Sequence, residues 1–85
     1  MLIRFTKHAE RKFGLLRLHG VNVSQEQVIE TIEKPDRLDV VSRYPLAIAQ
    51  GELDKRHVLR VVYRHERGGV AVITFYPGRK SQYEK

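Results

Sequence analysis

The period of the hydrophobic pattern changes near Pro35 of this 85-residue chain, and this change restricts the fold more than any other feature. Before Pro35, Ala9, Phe13 and Leu16 recur at spacings of four and three residues, as in an amphipathic helix. After it, apolar residues alternate with other residues at a period of two, as in strands. The sequence therefore predicts an α+β domain in which helices cover one face of a sheet.

Capping residues define two helices in the first half of the chain. Thr6 is a suitable N-cap for the first helix, because its hydroxyl can accept from a free amide of the first turn. Ser24 and Gln27 fit a capping box for the second helix, and Pro35 ends it. The predicted helices span 6–18 and 24–33.

Turn residues divide the second half into strands that form an antiparallel meander, with tight turns at 54–56 and 66–69. The segment from Leu2 to Phe5 is predicted to be an extended lead-in to the first helix. We therefore expect a single domain over residues 1–85, with two N-terminal helices packed on one face of a four-stranded antiparallel sheet. The predicted strands span 38–42, 46–53, 56–65 and 69–77.

Alternation in the last two strands separates two sets of side chains, and the purely apolar set is expected to face the core. That set places Ala71, Ile73 and Phe75 on one face. The predicted core contains Phe13, Leu16, Val28, Ile32, Leu59, Val61, Ile73 and Phe75. The opposite face would then carry groups suited to a polyanion with exposed bases, namely Arg60, Arg64, Thr74 and Tyr76.

The charge of the chain is concentrated in the same half. The net charge is +6, with a pI of about 10.0. Residues 1–42 carry seven Lys/Arg against six Asp/Glu, while residues 43–85 carry nine against four. Such an excess is typical of a nucleic-acid interface. The chain has no cysteine and no apolar run of the roughly 20 residues that a membrane helix needs, so a soluble cytoplasmic protein is expected.

Four short motifs, in their order along the chain, resemble those of a small family of uncharacterised prokaryotic domains that is similar to the RelE and BrnT toxins. They are Thr6-Lys7-His8-Ala9 with Arg11, the link from His19 to Ser24, a helix ending in Lys34-Pro35-Asp36, and Val72-Ile73-Thr74-Phe75-Tyr76. This chain has His19 where the link usually has Arg, and Lys34 where Asn is usual. The resemblance covers nearly the whole chain and implies the fold shared with barnase-type and colicin-type ribonucleases.

The resemblance implies a metal-independent endoribonuclease that acts as the toxin of a toxin–antitoxin pair. It implies RNA and a cognate antitoxin as partners, no cofactor and no metal, and it leaves a homodimer open. Such a reaction needs an activated 2′-hydroxyl, stabilisation of a pentacoordinate phosphate, and a proton for the leaving 5′-oxygen. Arginine suits the second task because its planar fork matches phosphate oxygens, and histidine or tyrosine can perform the others.

The candidate site residues follow from these tasks. Two arginines are expected to stabilise the phosphate, and a turn at Pro77-Gly78 is expected to fold Arg79 back towards Tyr76. Tyr76 or His8 is expected to transfer protons, with His57 as a substitute. The predicted catalytic residues are therefore Arg60, Tyr76, Arg79, His8 and His57. The predicted RNA-binding residues are Arg11, Arg64, Thr74 and Lys80.

Each candidate also has a structural interpretation. Arg60 could pair with Glu52 across two strands, His8 could face solvent, and His57 could be a half-buried residue at a strand edge. Tyr83 is expected to lie in a disordered end. The sequence leaves open a second class of function, a non-catalytic RNA- or protein-binding module on the same fold, because either class would be basic.

Overall fold

The computed structural model describes residues 2–39 and 44–84, which form two helices on one face of a five-stranded sheet and a short C-terminal helix. The elements are β1 (Leu2–Phe5), α1 (Lys7–Leu18), α2 (Gln25–Glu33), β2 (Arg37–Asp39), β3 (Leu46–Glu52), β4 (His57–Glu66), β5 (Gly69–Arg79) and α3 (Lys80–Tyr83). Within these ranges, no helix is long and apolar enough to cross a membrane. The predicted α+β class is confirmed.

Both predicted helices are present, and each begins at its predicted capping residue. The Thr6 hydroxyl accepts a hydrogen bond from the Ala9 amide at 3.1 Å. Ser24 and Gln27 form a reciprocal capping box, in which each backbone amide donates to the side chain of the other residue. Amides that have no partner within the first turn are thereby satisfied. α1 packs on β5, and α2 packs on β3 and β4.

The sheet has five strands rather than the four predicted, in the order β1-β5-β4-β3-β2. The additional strand is β1, which pairs in parallel with β5, so the sheet is mixed rather than antiparallel. Ile3 and Phe5 of this strand pack against the core. The predicted extended conformation was right, but the pairing was missed because a parallel pair between distant segments has no tight turn to mark it in the sequence.

A β-bulge in β5 changes which of its side chains face the helices. Val72 and Thr74 lie opposite consecutive residues of β4, so Ile73 is the extra residue. Val72 therefore faces the core before the bulge, and Phe75 faces it afterwards. The predicted shared face of Ala71, Ile73 and Phe75 was wrong, because strict alternation does not anticipate an inserted residue. Ile73 is half-buried outside the core.

The core lies between the helices and the sheet. Phe13 and Leu16 are partly buried against it, and the Phe13 ring lies 4.5 Å from the Phe75 ring, measured between centroids. Apart from these two residues and Ile73, the predicted core is buried as expected: Val28, Ile32, Leu59, Val61 and Phe75.

The C-terminal end differs most from the prediction. β5 continues through Pro77 to Arg79 without a turn, and α3 follows at once, so Tyr83 lies in a helix rather than in a disordered end. Proline is tolerated there because β1 pairs with 69–72, which leaves β5 as an edge strand at Pro77. At the other edge, β2 covers 37–39, and the remaining residues of that predicted strand, 40–42, lie outside the described residues.

Candidate functional site

The predicted polar row lies on the sheet face away from α1 and α2, which we call the open face. Arg60 lies opposite Tyr76 and Arg64 lies opposite Ala71, with Thr74 on the same face between those pairs. The prediction that Arg60, Arg64, Thr74 and Tyr76 share one face is confirmed.

Arg60 is buried at the centre of the open face, with 6% of its surface exposed. Its Nε donates to the Tyr76 hydroxyl at 3.1 Å, its Nη1 to the Gln50 side-chain oxygen, and its Nη2 to Asp39 Oδ2 at 3.4 Å. Burial lowers the pKa of Arg60, but the hydrogen bonds to Tyr76 and Asp39, together with the negative charge of Asp39, outweigh it, so the pKa is raised overall. The guanidinium therefore stays charged and has a partner at each nitrogen.

α3 covers the remaining side of Arg60. The Tyr83 ring stacks on the guanidinium, with 4.3 Å between Arg60 Cζ and the ring centroid. The Tyr83 carbonyl accepts a hydrogen bond from Arg37 Nη1 at 3.1 Å. The Tyr83 ring therefore shields one face of the Arg60 guanidinium from a phosphate.

The groove beside Arg60 carries both signs of charge. Its volume is about 600 Å³, and its lining includes the carboxylates of Asp36, Asp39 and Glu84 together with Arg37 and Arg60. Carboxylates repel a phosphate, and both arginines already donate to protein acceptors. This groove is therefore poorly suited to an RNA backbone.

Glu52 is not the partner of Arg60, contrary to the structural interpretation of the sequence. The register places Gln50 opposite Arg60, and Glu52 opposite Val58. Glu52 accepts instead from Lys80 Nζ at 2.9 Å, and this hydrogen bond raises the pKa of Lys80. The partner of Arg60 was set by the strand register, which residue types alone do not reveal.

A second basic region lies at the end of the sheet where β4 begins and β5 ends. His57 lies opposite Arg79, and alternation puts this pair on the face opposite to Arg60. Both arginines of the region, Arg56 and Arg79, are exposed. We call this region the end cleft, which has a volume of about 460 Å³ and is lined by Arg56, His57, Arg79, Lys80 and Ser81.

Asp54 orients His57 in the end cleft. His57 Nδ1 lies 2.9 Å from Asp54 Oδ1, which also accepts from the backbone amides of Arg56 and His57 at 2.8 Å each. The hydrogen bond from the Arg56 amide, followed by that from the His57 ring, lowers the pKa of Asp54. A carboxylate beside Nδ1 favours the tautomer that carries its proton there, which leaves Nε2 as the proton acceptor.

The structure separates the predicted catalytic residues into groups. His8 and Arg11 are exposed on α1, which packs on the sheet face opposite to Tyr76. Arg79 does not fold back towards Tyr76, because β5 runs straight between them and places the two on opposite faces. The resulting groups are Arg60 with Tyr76, His57 with Arg79, and His8 alone.

The residues that orient the side chains of both basic regions were not predicted from the sequence. Asp54 was assigned only to a turn, although an Asp just before a hairpin strand often caps local backbone amides and can reach a side chain three residues later. The three-residue spacing between Asp54 and His57 could therefore have predicted their contact. Asp39 and Gln50 gave no such signal, because they meet Arg60 only through the pairing of three strands.

Comparisons with known proteins give no further constraint: no family model, curated protein or solved structure matches this chain. In residues 2–39 and 44–84, no group of three or more His, Cys, Asp or Glu side chains could hold a metal ion. A functional assignment therefore depends on the chemistry of the open face and the end cleft.

Proposed function

We propose that this protein is a metal-independent endoribonuclease of the toxin type, and that it cleaves RNA in the end cleft. The observation that carries the proposal is the 2.9 Å contact between His57 Nδ1 and Asp54, in a cleft that also contains Arg56 and Arg79. A histidine oriented by a carboxylate can act as a general base, and guanidinium groups beside it can bind phosphate.

The proposed reaction uses the 2′-hydroxyl of the RNA as the nucleophile. His57 Nε2 takes its proton, the 2′-oxygen bonds to the adjacent phosphorus, and the bond from phosphorus to the 5′-oxygen breaks. The products are a 2′,3′-cyclic phosphate and a 5′-hydroxyl. Arg56 and Arg79 stabilise the charge of the phosphorane, and Asp54 stabilises the imidazolium that forms.

Water in the exposed cleft supplies the proton for the 5′-oxygen in this proposal. Lys80 also lines the cleft, but its ammonium is a weak acid because the hydrogen bond to Glu52 raises its pKa. An ammonium has three donors and Glu52 takes one, so Lys80 can still contribute positive charge and a hydrogen bond to a bound phosphate.

Arg60 and Tyr76 have no catalytic role in this proposal, although both were candidates from the sequence. The Tyr76 hydroxyl accepts from Arg60 Nε, and Arg60 is covered by α3. Their contacts support a role in holding β2, β3, β5 and α3 together.

The proposal makes RNA the substrate and an antitoxin protein the partner that restrains the enzyme. The excess of Lys and Arg in residues 43–85 supports a polyanionic substrate. A small reading frame for an acidic or DNA-binding protein in the same operon would support the antitoxin.

Cleavage of RNA in the presence of a chelator tests the proposal. We expect the wild-type protein to remain active and to leave 2′,3′-cyclic phosphate ends. His57→Ala should lower the rate by roughly 10²–10⁴, the usual contribution of a general base, while RNA affinity is largely retained. His65→Ala is the matched control, because His65 lies on the same strand outside the end cleft. Equal rates in the wild type and His57→Ala would contradict the proposal.

A non-catalytic RNA-binding module is the second candidate, and the presence of a single imidazole in the end cleft favours it. RNA cleavage needs both a base and an acid, and His57 is the one histidine in the lining of the cleft. RNA that binds the wild-type protein without being cut, and that binds Arg79→Ala more weakly, would support the module.

A further inference from the structure

α3 connects the two basic regions, although it has only four residues. Lys80 and Ser81 at its start line the end cleft, and Tyr83 at its end lies on Arg60. A helix of this length is not stable by itself in water. Its position therefore depends on its contacts with the sheet.

Three side-chain contacts hold α3 on the open face. The Tyr83 ring stacks on Arg60, Arg37 Nη1 donates to the Tyr83 carbonyl, and Lys80 Nζ donates to Glu52. The Glu52 side chain is 68% exposed, whereas that of Arg60 is 8% exposed. Because exposed ion pairs contribute little, the stack on the buried guanidinium is the dominant of these side-chain contacts.

Gly78 allows this close approach of α3 to the sheet. A Cβ at this position would lie closer to Cε2 of the Tyr83 ring than non-bonded carbon atoms can approach. Any other residue at this point of β5 would therefore push the ring away from Arg60. Gly78 and Arg60 together form the surface on which the Tyr83 ring packs.

We infer that Arg60 is a positioning residue for phosphate binding in the end cleft, and that it acts through Tyr83 and α3. Arg60 does not contact the phosphate itself, because it lies on the other face of the sheet and its nitrogens have protein partners. The Lys80 amide donates to the Arg56 carbonyl at 2.9 Å and ties the first residue of α3 to the residue before β4. By holding Tyr83 at the other end, Arg60 fixes the orientation of the helix, in which Lys80 and Ser81 form one wall of the cleft. The inference rests on the proposed function, since it takes the end cleft as the phosphate site.

The burial of Arg60 supports a specific role. A buried ion pair is often no more stabilising than apolar residues of similar size. Its neighbours on the open face of β4 are Val58 and Val62, so an apolar side chain would suit this row. The charge instead gives the Tyr83 ring a cation to stack on, which an apolar residue would not.

A titration with inorganic phosphate tests the inference. The NMR chemical shifts of the His57 ring protons and of the Lys80 and Ser81 amides report phosphate binding and give its Kd. Tyr83→Ala should raise the phosphate Kd about tenfold, the equivalent of one charge-assisted hydrogen bond. Tyr83→Phe keeps the ring and should keep the wild-type Kd. Because Tyr83 lies outside the hydrophobic core, both variants are expected to retain the fold.

Gly78→Ala disturbs the same contact between Tyr83 and Arg60, but by a change in β5 instead of in α3. It should weaken phosphate binding as much as Tyr83→Ala does, since its Cβ would displace the ring. In the Tyr83→Ala background it should have no further effect, because the clash is then removed. This double-mutant cycle separates an effect through Tyr83 from a general effect on β5.

The outcomes distinguish the inference from the proposed function. Wild-type phosphate affinity in both Tyr83→Ala and Gly78→Ala would overturn the inference, even if the protein cleaves RNA. Weakened binding in both variants of a protein that does not cleave RNA would support the inference and overturn the endoribonuclease. A wild-type protein that binds no phosphate in the end cleft would overturn both.

Discussion

Arg60 and Arg79 have the same side chain on neighbouring strands, yet their surroundings are opposite. Arg60 has protein partners at each nitrogen and is 6% exposed. Arg79 is exposed and lines a cleft with Arg56 and His57. The difference follows from the register, because Arg60 lies opposite Tyr76 under α3 whereas Arg79 lies at the end of its strand. Position in the sheet, more than residue type, therefore decides whether a cation stabilises the fold or is available to a ligand.

The two regions should also differ in their response to the solvent. The cations of the end cleft are hydrated and screened by salt, so their attraction for a polyanion should fall steeply as salt is added. The Arg60 network lies in a region of lower dielectric constant, where salt has little effect. Changes of stability, salt dependence and pH can each test this contrast.

The largest expected effect on stability is that of Arg60→Ala. It removes the centre of a buried network and leaves Gln50 and Asp39 without their shared partner, so the free energy of unfolding should fall by roughly 3 kcal/mol. Arg64→Ala is the matched control, because Arg64 is exposed on the same strand and face, and its effect should stay within about 0.5 kcal/mol. Denaturant unfolding measures both. Equal free energies of unfolding in the two variants would contradict the contrast between the buried and the exposed arginine.

A smaller effect is expected in the salt dependence of RNA binding. If Arg79 contacts a phosphate, Arg79→Ala should flatten the slope of log K against log salt by about 0.7, the value for one phosphate of single-stranded RNA. Arg64→Ala should leave the slope unchanged, because Arg64 lies on the open face, away from the end cleft. A flatter slope for Arg64→Ala, with no change for Arg79→Ala, would indicate that the RNA binds the open face instead of the end cleft.

The smallest expected effect is a local response to acid at the end cleft. The folded chain lowers the pKa of Asp54, so its carboxylate stabilises the turn above its ordinary pKa and ceases to do so as the pH falls through the lowered value. Exchange of the Arg56 and His57 amides should therefore speed up below about pH 4, relative to the intrinsic rate. Asp54→Asn should remove this dependence. An identical pH profile in the variant would show that Asp54 does not control the turn.

Local patterns predicted much of the fold. The capping residues Thr6 and Ser24 located both helices, and alternation placed Arg60 and Tyr76 on one face. These features depend on neighbours a few residues apart, so the sequence displays them directly. The bulge at Ile73 is also local, but no residue type is unique to it.

Contacts between distant segments could not be predicted from the sequence. The pairing of β1 with β5, the meeting of Asp39 with Arg60, and the docking of Tyr83 each join segments more than 20 residues apart. The candidate site was therefore half predicted: His57 and Arg79 were named, but they were grouped with residues on the other face. The register places His57 and Arg79 on the face opposite to Arg60, and Asp54 contacts His57 there.

Rates of RNA cleavage by His57→Ala and Tyr76→Phe decide which basic region is the catalytic one, because each variant removes the candidate proton-transfer group of one region. We expect the rate to fall by roughly 10²–10⁴ for His57→Ala and to stay close to the wild-type rate for Tyr76→Phe, whose hydroxyl accepts a hydrogen bond from Arg60. A large loss in Tyr76→Phe with full activity in His57→Ala would contradict this expectation, and would place catalysis on the open face.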